Sequence, residues 1–216
     1  MNDTTPVNDT MERGADTRRL LDAALALSIV TVLYNLAEGA VSVYFGLEDE
    51  TLSLLGFGVD SFVEVISGLG IGHMVWRMKR QPVEGRDRFE RLALRITGTS
   101  FYLLAVGLMA GSVAALVTGN RPTTTMAGVV ISAVSILTMG ILIRLKLKVG
   151  RRLGSDAIVA DAHCTRACLR LSFTLLAASL LYELLRLPFV DVIGGLVIAY
   201  LSLREGMEAF EKASSR

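Results

Sequence analysis

Cysteine, proline, histidine and aromatic residues are scarce in this 216-residue chain, with two Cys, four Pro, two His and 6% Phe, Trp and Tyr. Two cysteines are too few for a disulfide scaffold. Cys164 and Cys168 stand at i,i+4, where helical Cβ atoms lie about 5–6 Å apart, against about 3.8 Å in a disulfide. They are read as free thiols and imply no oxidising compartment. With so little proline, the 20 glycines cannot mark a collagen-like chain. Charge is thin as well: 20% of residues are charged, against about 25% in soluble domains. Period-2 alternation is missing, which excludes a β-barrel. The G-x-G runs at 56–58 and 70–72 lie inside apolar stretches and form no nucleotide loop. The chain is also too short for an ATP-driven pump, and no enzyme active site is expected.

What fills the sequence instead is hydrophobic residues, 52% of the chain, with a mean hydropathy of +0.51. A polytopic helical membrane protein is the class this points to, located in a bacterial inner or plasma membrane. Long apolar runs predict six all-α spans at 20–46, 51–76, 95–117, 125–143, 157–185 and 188–203. Residues 1–19 lack the apolar region of a signal peptide and read as a disordered cytosolic tail. Residues 204–216 read as a short cytosolic C-terminal helix or tail, so the transmembrane domain is 20–203.

Orientation follows from the placement of charge. Of the 22 Lys and Arg, only Arg121 and Arg186 fall on one side of the predicted membrane, and Arg166 and Arg170 fall within span five. The rest collect in the N-terminal tail, between spans two and three, after span four and after span six. By the positive-inside rule both termini are cytosolic. The basic run 77–95 has no interleaved aromatics, so it is assigned to topology and anionic lipid rather than to nucleic acid. Small residues at four-residue spacing, Gly68/Gly72 and Gly107/Gly111/Ala115, predict close helix–helix packing.

Ionisable groups inside the spans cost about 2.5–3.5 kcal/mol each on insertion scales and usually mark function. Span two holds Asp60 and Glu64 at i,i+4, on one helical face. Two carboxylates one turn apart repel unless a cation or proton lies between them. Span five holds Cys164 and Cys168 at the same spacing, with Asp161 three residues earlier. At about 1.5 Å per residue, Cys168 levels with Asp60 and Cys164 with Glu64 near mid-membrane. Two thiolates and two carboxylates make a tetrahedral donor set suited to Zn²⁺ and too soft for Mg²⁺ or Ca²⁺. The alternative is that both cysteines are small packing residues.

The remaining polar residues have weaker assignments. Asp161 is either a ligand at the mouth of the site or a polar helix start. His163 points about 100° from the cysteine stripe and is a structural or supporting group, or, with a one-residue rotation, a substitute ligand for a cysteine. His73 sits at the membrane rim. Asn35 and Glu38, on span one, either support the site by hydrogen bonding or proton transfer, or bond helices together. Arg166 and Arg170 face away from the thiols, and Asp191 lies near the outer end of span six.

Three stretches carry a family resemblance. TLSLLGFGVDSFVEVISG (51–68) resembles the second transmembrane helix of cation diffusion facilitators, whose acidic pair supplies half of a transport site. IVADAHCTRACLRLS (158–172) resembles the fifth helix of that family, and PFVDVIGGLVIAYLSLREG (188–206) the sixth. By position, Asp60 and Glu64 match the acidic pair, Cys164 matches a His of helix five, and Cys168 matches an Asp. The two cysteines are departures that soften the donor set. The resemblance implies a six-helix secondary transporter exporting a divalent transition metal, most simply Zn²⁺, against protons. It also implies a homodimer, here through the membrane helices, because the chain resembles a short branch lacking the family's cytosolic domain. The alternative within that resemblance is a transport-inactive metal-binding or partner subunit.

Overall fold

Three of the four prolines, Pro82, Pro122 and Pro188, fall between helices, and the fourth, Pro6, lies in a first helical turn, where a missing N–H costs nothing. With the long interiors free of proline, the computed structural model is a bundle of six helices. They are α1 (Thr5–Glu48), α2 (Leu52–Arg80), α3 (Arg86–Thr118), α4 (Met126–Leu153), α5 (Asp156–Leu185) and α6 (Phe189–Ser214). Residues 5–80, 86–119, 125–185, 187 and 189–214 are described. Arg121 and Arg186, assigned above to the outer side, lie outside them.

Two boundaries differ from expectation. Helix α1 starts at Thr5, so residues 5–19 are helical rather than a disordered tail. Extending a helix that the apolar run already nucleates adds one hydrogen bond for each residue fixed. The other concerns span six. Five helices are long and apolar enough to cross a membrane unaided among the described residues, and α6 is not one of them. Its apolar part is short, and it continues as one helix through the polar segment to Ser214.

Helix pairs α1–α2, α3–α6 and α4–α5 form the main contacts, and α2 also touches α3, α5 and α6. That makes α2 the hub, and half of its most apolar window is buried, more than in any other span. The core is built from Leu54 and Phe57 of α2, Leu104 and Leu108 of α3, Met139 and Leu142 of α4, Leu171 and Leu175 of α5, and Ile198 of α6. Gly58 lets α1 and α2 approach: a Cβ there would stand 2.8 Å from the Val43 backbone nitrogen. Gly68 and Gly72 face Ser28 and its neighbours on α1, as the small-residue spacing predicts. The α3 stripe behaves otherwise. Gly107 meets nothing and Gly111 meets only Leu52, while the buried row is Phe101, Leu104, Ala105, Leu108 and Ser112. The partner of α3 is α6, remote in sequence, and its position selects that row.

Carboxylates from other helices hold two helix starts. Asp191 of α6 accepts from the backbone N–H groups of Leu52 (2.7 Å) and Ser53 (3.1 Å), and from the Ser53 hydroxyl. Glu183 of α5 accepts from the Thr125 N–H at 2.7 Å, while the Thr125 hydroxyl donates to the Ser179 carbonyl at 2.8 Å. Each carboxylate satisfies orphan donors at the positive end of a helix dipole. At the opposite end of the bundle Gly154, with φ of 58°, closes α4 in the left-handed conformation before α5 begins. Asp191→Ala is expected to destabilise the bundle by about 1–2 kcal/mol, as for a lost N-cap. The check is the thermal midpoint in detergent, with Asp191→Asn losing less.

Candidate metal centre

Asp60 and Glu64 lie on the buried row of α2 that also carries Leu54, Phe57 and Ser61, and they are 2% and 3% exposed. Cys168 is equally buried on α5, and Cys164, one turn earlier, is half-buried. The α2–α5 contact brings these groups together. The Cys168 thiol lies within reach of both carboxylates, and Cys164 is an electrostatic neighbour of Glu64, Asp60 and Asp161. The depth register inferred from the sequence is therefore consistent with the proximities in the bundle.

The four groups are neighbours without forming a closed cage. Among the described residues, no three His, Cys, Asp or Glu side chains are gathered closely enough to hold an ion. Mutual repulsion of carboxylates keeps such groups apart until a cation joins them. Glu64 shows the consequence: both its oxygens are buried without a hydrogen-bond partner, and the Cys168 thiol approaches short of full hydrogen-bond geometry. A buried acceptor left unpaired costs about 1–3 kcal/mol. A cation or a proton would offset that cost.

The accessory residues divide. Glu38 accepts from Tyr34 at 2.7 Å and from Ser61 at 3.0 Å, so it reaches α2 beside Asp60. Asn35 is fully buried and donates to the Thr31 carbonyl at 2.9 Å, with its own side-chain oxygen unpartnered. His163 is exposed, on the side of Arg166, Arg170 and Lys212. The structure thus sets it apart from the thiols, because α5 turns it outward by its 100° offset. Arg170 likewise faces away and pairs with Glu205 at 2.7 Å. His73 is exposed and lies beside Trp76, with ring centroids 6.3 Å apart.

Asp161 is 4% exposed and stands five residues inside α5, which begins at Asp156. It forms a 2.8 Å ion pair with Lys146 of α4, with Ser67 of α2 at 3.5 Å. Lys146 also donates to the Thr165 hydroxyl at 2.8 Å and is 1% exposed. Sequence reasoning missed it, counting it with Arg144, Lys148, Arg151 and Arg152 as a topological charge. A signal was present: Lys146 continues the buried row Gly128, Ser132, Ser135, Met139, Leu142 of α4 at heptad-like spacing.

Long apolar helices around paired carboxylates and thiols define a multi-pass membrane protein whose interior is suited to cations. The comparisons name the family. The cation efflux transmembrane domain matches residues 24–216, and the chain belongs to that family, the cation diffusion facilitators. An uncharacterized transporter of Methanocaldococcus jannaschii is 24% identical over 178 residues, which make up 80% of this chain and 62% of the relative. The chain thus spans under two thirds of that relative's length. The protein is an integral multi-pass membrane protein of a cation-transporter family.

Removing the unpaired carboxylate tests whether Glu64 is held at a cost. Glu64→Met is expected to raise the stability of the metal-free protein by about 1 kcal/mol, since a buried unsatisfied group is lost. Thermal unfolding in detergent with a chelator would read the gain, and a lower midpoint would contradict it.

Proposed function

We propose that the chain exports a divalent transition metal, most simply Zn²⁺, from the cytosol by exchange for protons. Asp60 and Glu64 of α2 and Cys164 and Cys168 of α5 are its ligands. The observation carrying this reading is Glu64, a buried carboxylate with both oxygens unpartnered, with the Cys168 thiol within reach and Cys164 an electrostatic neighbour. Thiolate and carboxylate donors together suit Zn²⁺, at about 2.3 Å for sulfur and about 2.0–2.2 Å for oxygen.

The chemistry of the donors supplies the coupling. Each must be deprotonated to bind, so metal binding releases protons and protonation expels metal. Cytosolic metal displaces protons from the four ligands. A tilt of helices around the α2–α5 crossing then opens the site outward, where protons return and the cation leaves. Inward orientation of the α2–α3 and α4–α5 ends follows from their basic residues. A homodimer would form through the lipid-facing helices.

Isothermal calorimetry on the detergent-purified chain should show saturable Zn²⁺ binding. Asp60→Ala and Cys168→Ala should each weaken it by about 100-fold or more, beyond the 10–100-fold cost of losing an outer partner. Affinity should rise with pH, because fewer protons compete for the ligands. Proteoliposomes should move Zn²⁺ faster with the acid side opposite the metal. Equal flux at every pH gradient contradicts proton exchange. Binding without flux favours the transport-inactive subunit.

A further inference from the structure

Lys146 is the buried group that the proposed transport chemistry does not use. It is the sole Lys or Arg among the buried residues that the structure describes. Dehydrating an ammonium is expensive, and a buried pair repays the cost only with good geometry and further hydrogen bonds. Asp161 at 2.8 Å and Thr165 at 2.8 Å supply both. The cost could have been avoided by an apolar residue at this position, as at Met139 and Leu142 on the same row.

The surroundings of the ammonium suggest why it is there. Besides Asp161, its electrostatic neighbours are Glu64 and Cys164, two of the four candidate ligands. Ser67 stands between these groups, within 3.5 Å of Asp161 and beside Cys164. Helix α4 ends at Leu153 and α5 begins at Asp156, so Lys146 and Asp161 lie between the basic end of the bundle and the ligands. A lysine is a point charge on a flexible four-carbon stem, able to change partner by rotation about its side-chain bonds. Both side-chain oxygens of Glu64 are buried without a hydrogen-bond partner.

We propose that Lys146 is a tethered cation that exchanges with the transported metal at Glu64, which makes it a positioning residue of the transport cycle. With the ammonium on Asp161, Glu64 is free to take metal from the basic end. After metal leaves, the ammonium moves to Glu64 and neutralises it until a proton arrives there, which disfavours rebinding, so the empty carrier can return. The exchange involves no covalent step. One unit of positive charge stays in the site while the divalent ion comes and goes. This inference rests on the ligand assignment proposed above.

The two are separated by one set of measurements on the full chain with Zn²⁺ as the probe. Lys146→Met removes the competitor and should tighten Zn²⁺ binding by about tenfold, the scale of one unit charge lost at several ångströms and intermediate dielectric. Turnover in proteoliposomes should fall severalfold, because release is slowed. Lys146→Arg keeps the charge and should stay within about threefold of wild type in affinity. If Lys146→Met does not fold, Lys146→Met with Asp161→Asn removes both charges of the pair and decides the matter. A merely structural lysine would lower affinity and turnover together, or leave affinity unchanged, and either result overturns the exchange. Asp60→Ala is the control for the site. If it abolishes binding while the lysine variants keep wild-type affinity, the exchange alone falls. If neither the wild-type chain nor the lysine variants bind Zn²⁺, the ligand assignment falls and the exchange with it.

Discussion

A carboxylate buried away from water must find positive charge, hydrogen-bond donors or a proton, and this constraint organises the middle of the bundle. Asp60, Glu64 and Asp161 all lie in the interior shared by α2, α4 and α5. One lysine, held by Asp161, is the buried base available to them among the described residues. The unmatched charge falls on α2, where Glu64 has no hydrogen-bond partner. A buried acceptor without a partner costs about 1–3 kcal/mol, which the proposed divalent ion would offset. That deficit is what the proposed binding site rests on.

The remainder of the fold keeps that interior in register. Asp191 fastens the start of α2 to α6, and Glu183 fastens the start of α4 to α5, both at the end of the bundle remote from the basic residues. Hydroxyls supply the links between helices deeper in: Ser135 with Ser172 at 3.0 Å, Ser28 with the Gly68 carbonyl at 3.2 Å, and Ser61 with Glu38. Interhelical bonds of this kind in a membrane are each worth about 0.6 kcal/mol on average. The pairs α1–α2, α3–α6 and α4–α5 share the most extensive contacts, and the proposed ligands are divided between the first and the third.

The six helices and the α2 and α5 residues were legible in the sequence because each charge or thiol interrupts a long apolar run. Their depths followed from helical rise alone. Lys146 was not legible from its neighbours, since Arg144, Lys148, Arg151 and Arg152 make it look like one more interfacial base. Only its heptad phase with Ser132, Ser135 and Met139 sets it apart. The capping role of Asp191 was equally hidden, because its partners are 138 and 139 residues away. The Gly107 stripe misled for a related reason. Small residues permit close approach, but which face is approached depends on where α6 lies. At the N-terminus, polar composition outweighed the propagation of α1 in the reading of residues 5–19.

The central claim is that two thiolates and two carboxylates share one cation between α2 and α5. X-ray absorption at the zinc edge on the purified, Zn²⁺-loaded chain tests it most directly. The account predicts two sulfur neighbours at about 2.3 Å and two oxygen neighbours at about 2.0–2.2 Å, with one sulfur lost in Cys168→Ala. A shell of nitrogen and oxygen alone, unchanged in that variant, would contradict it.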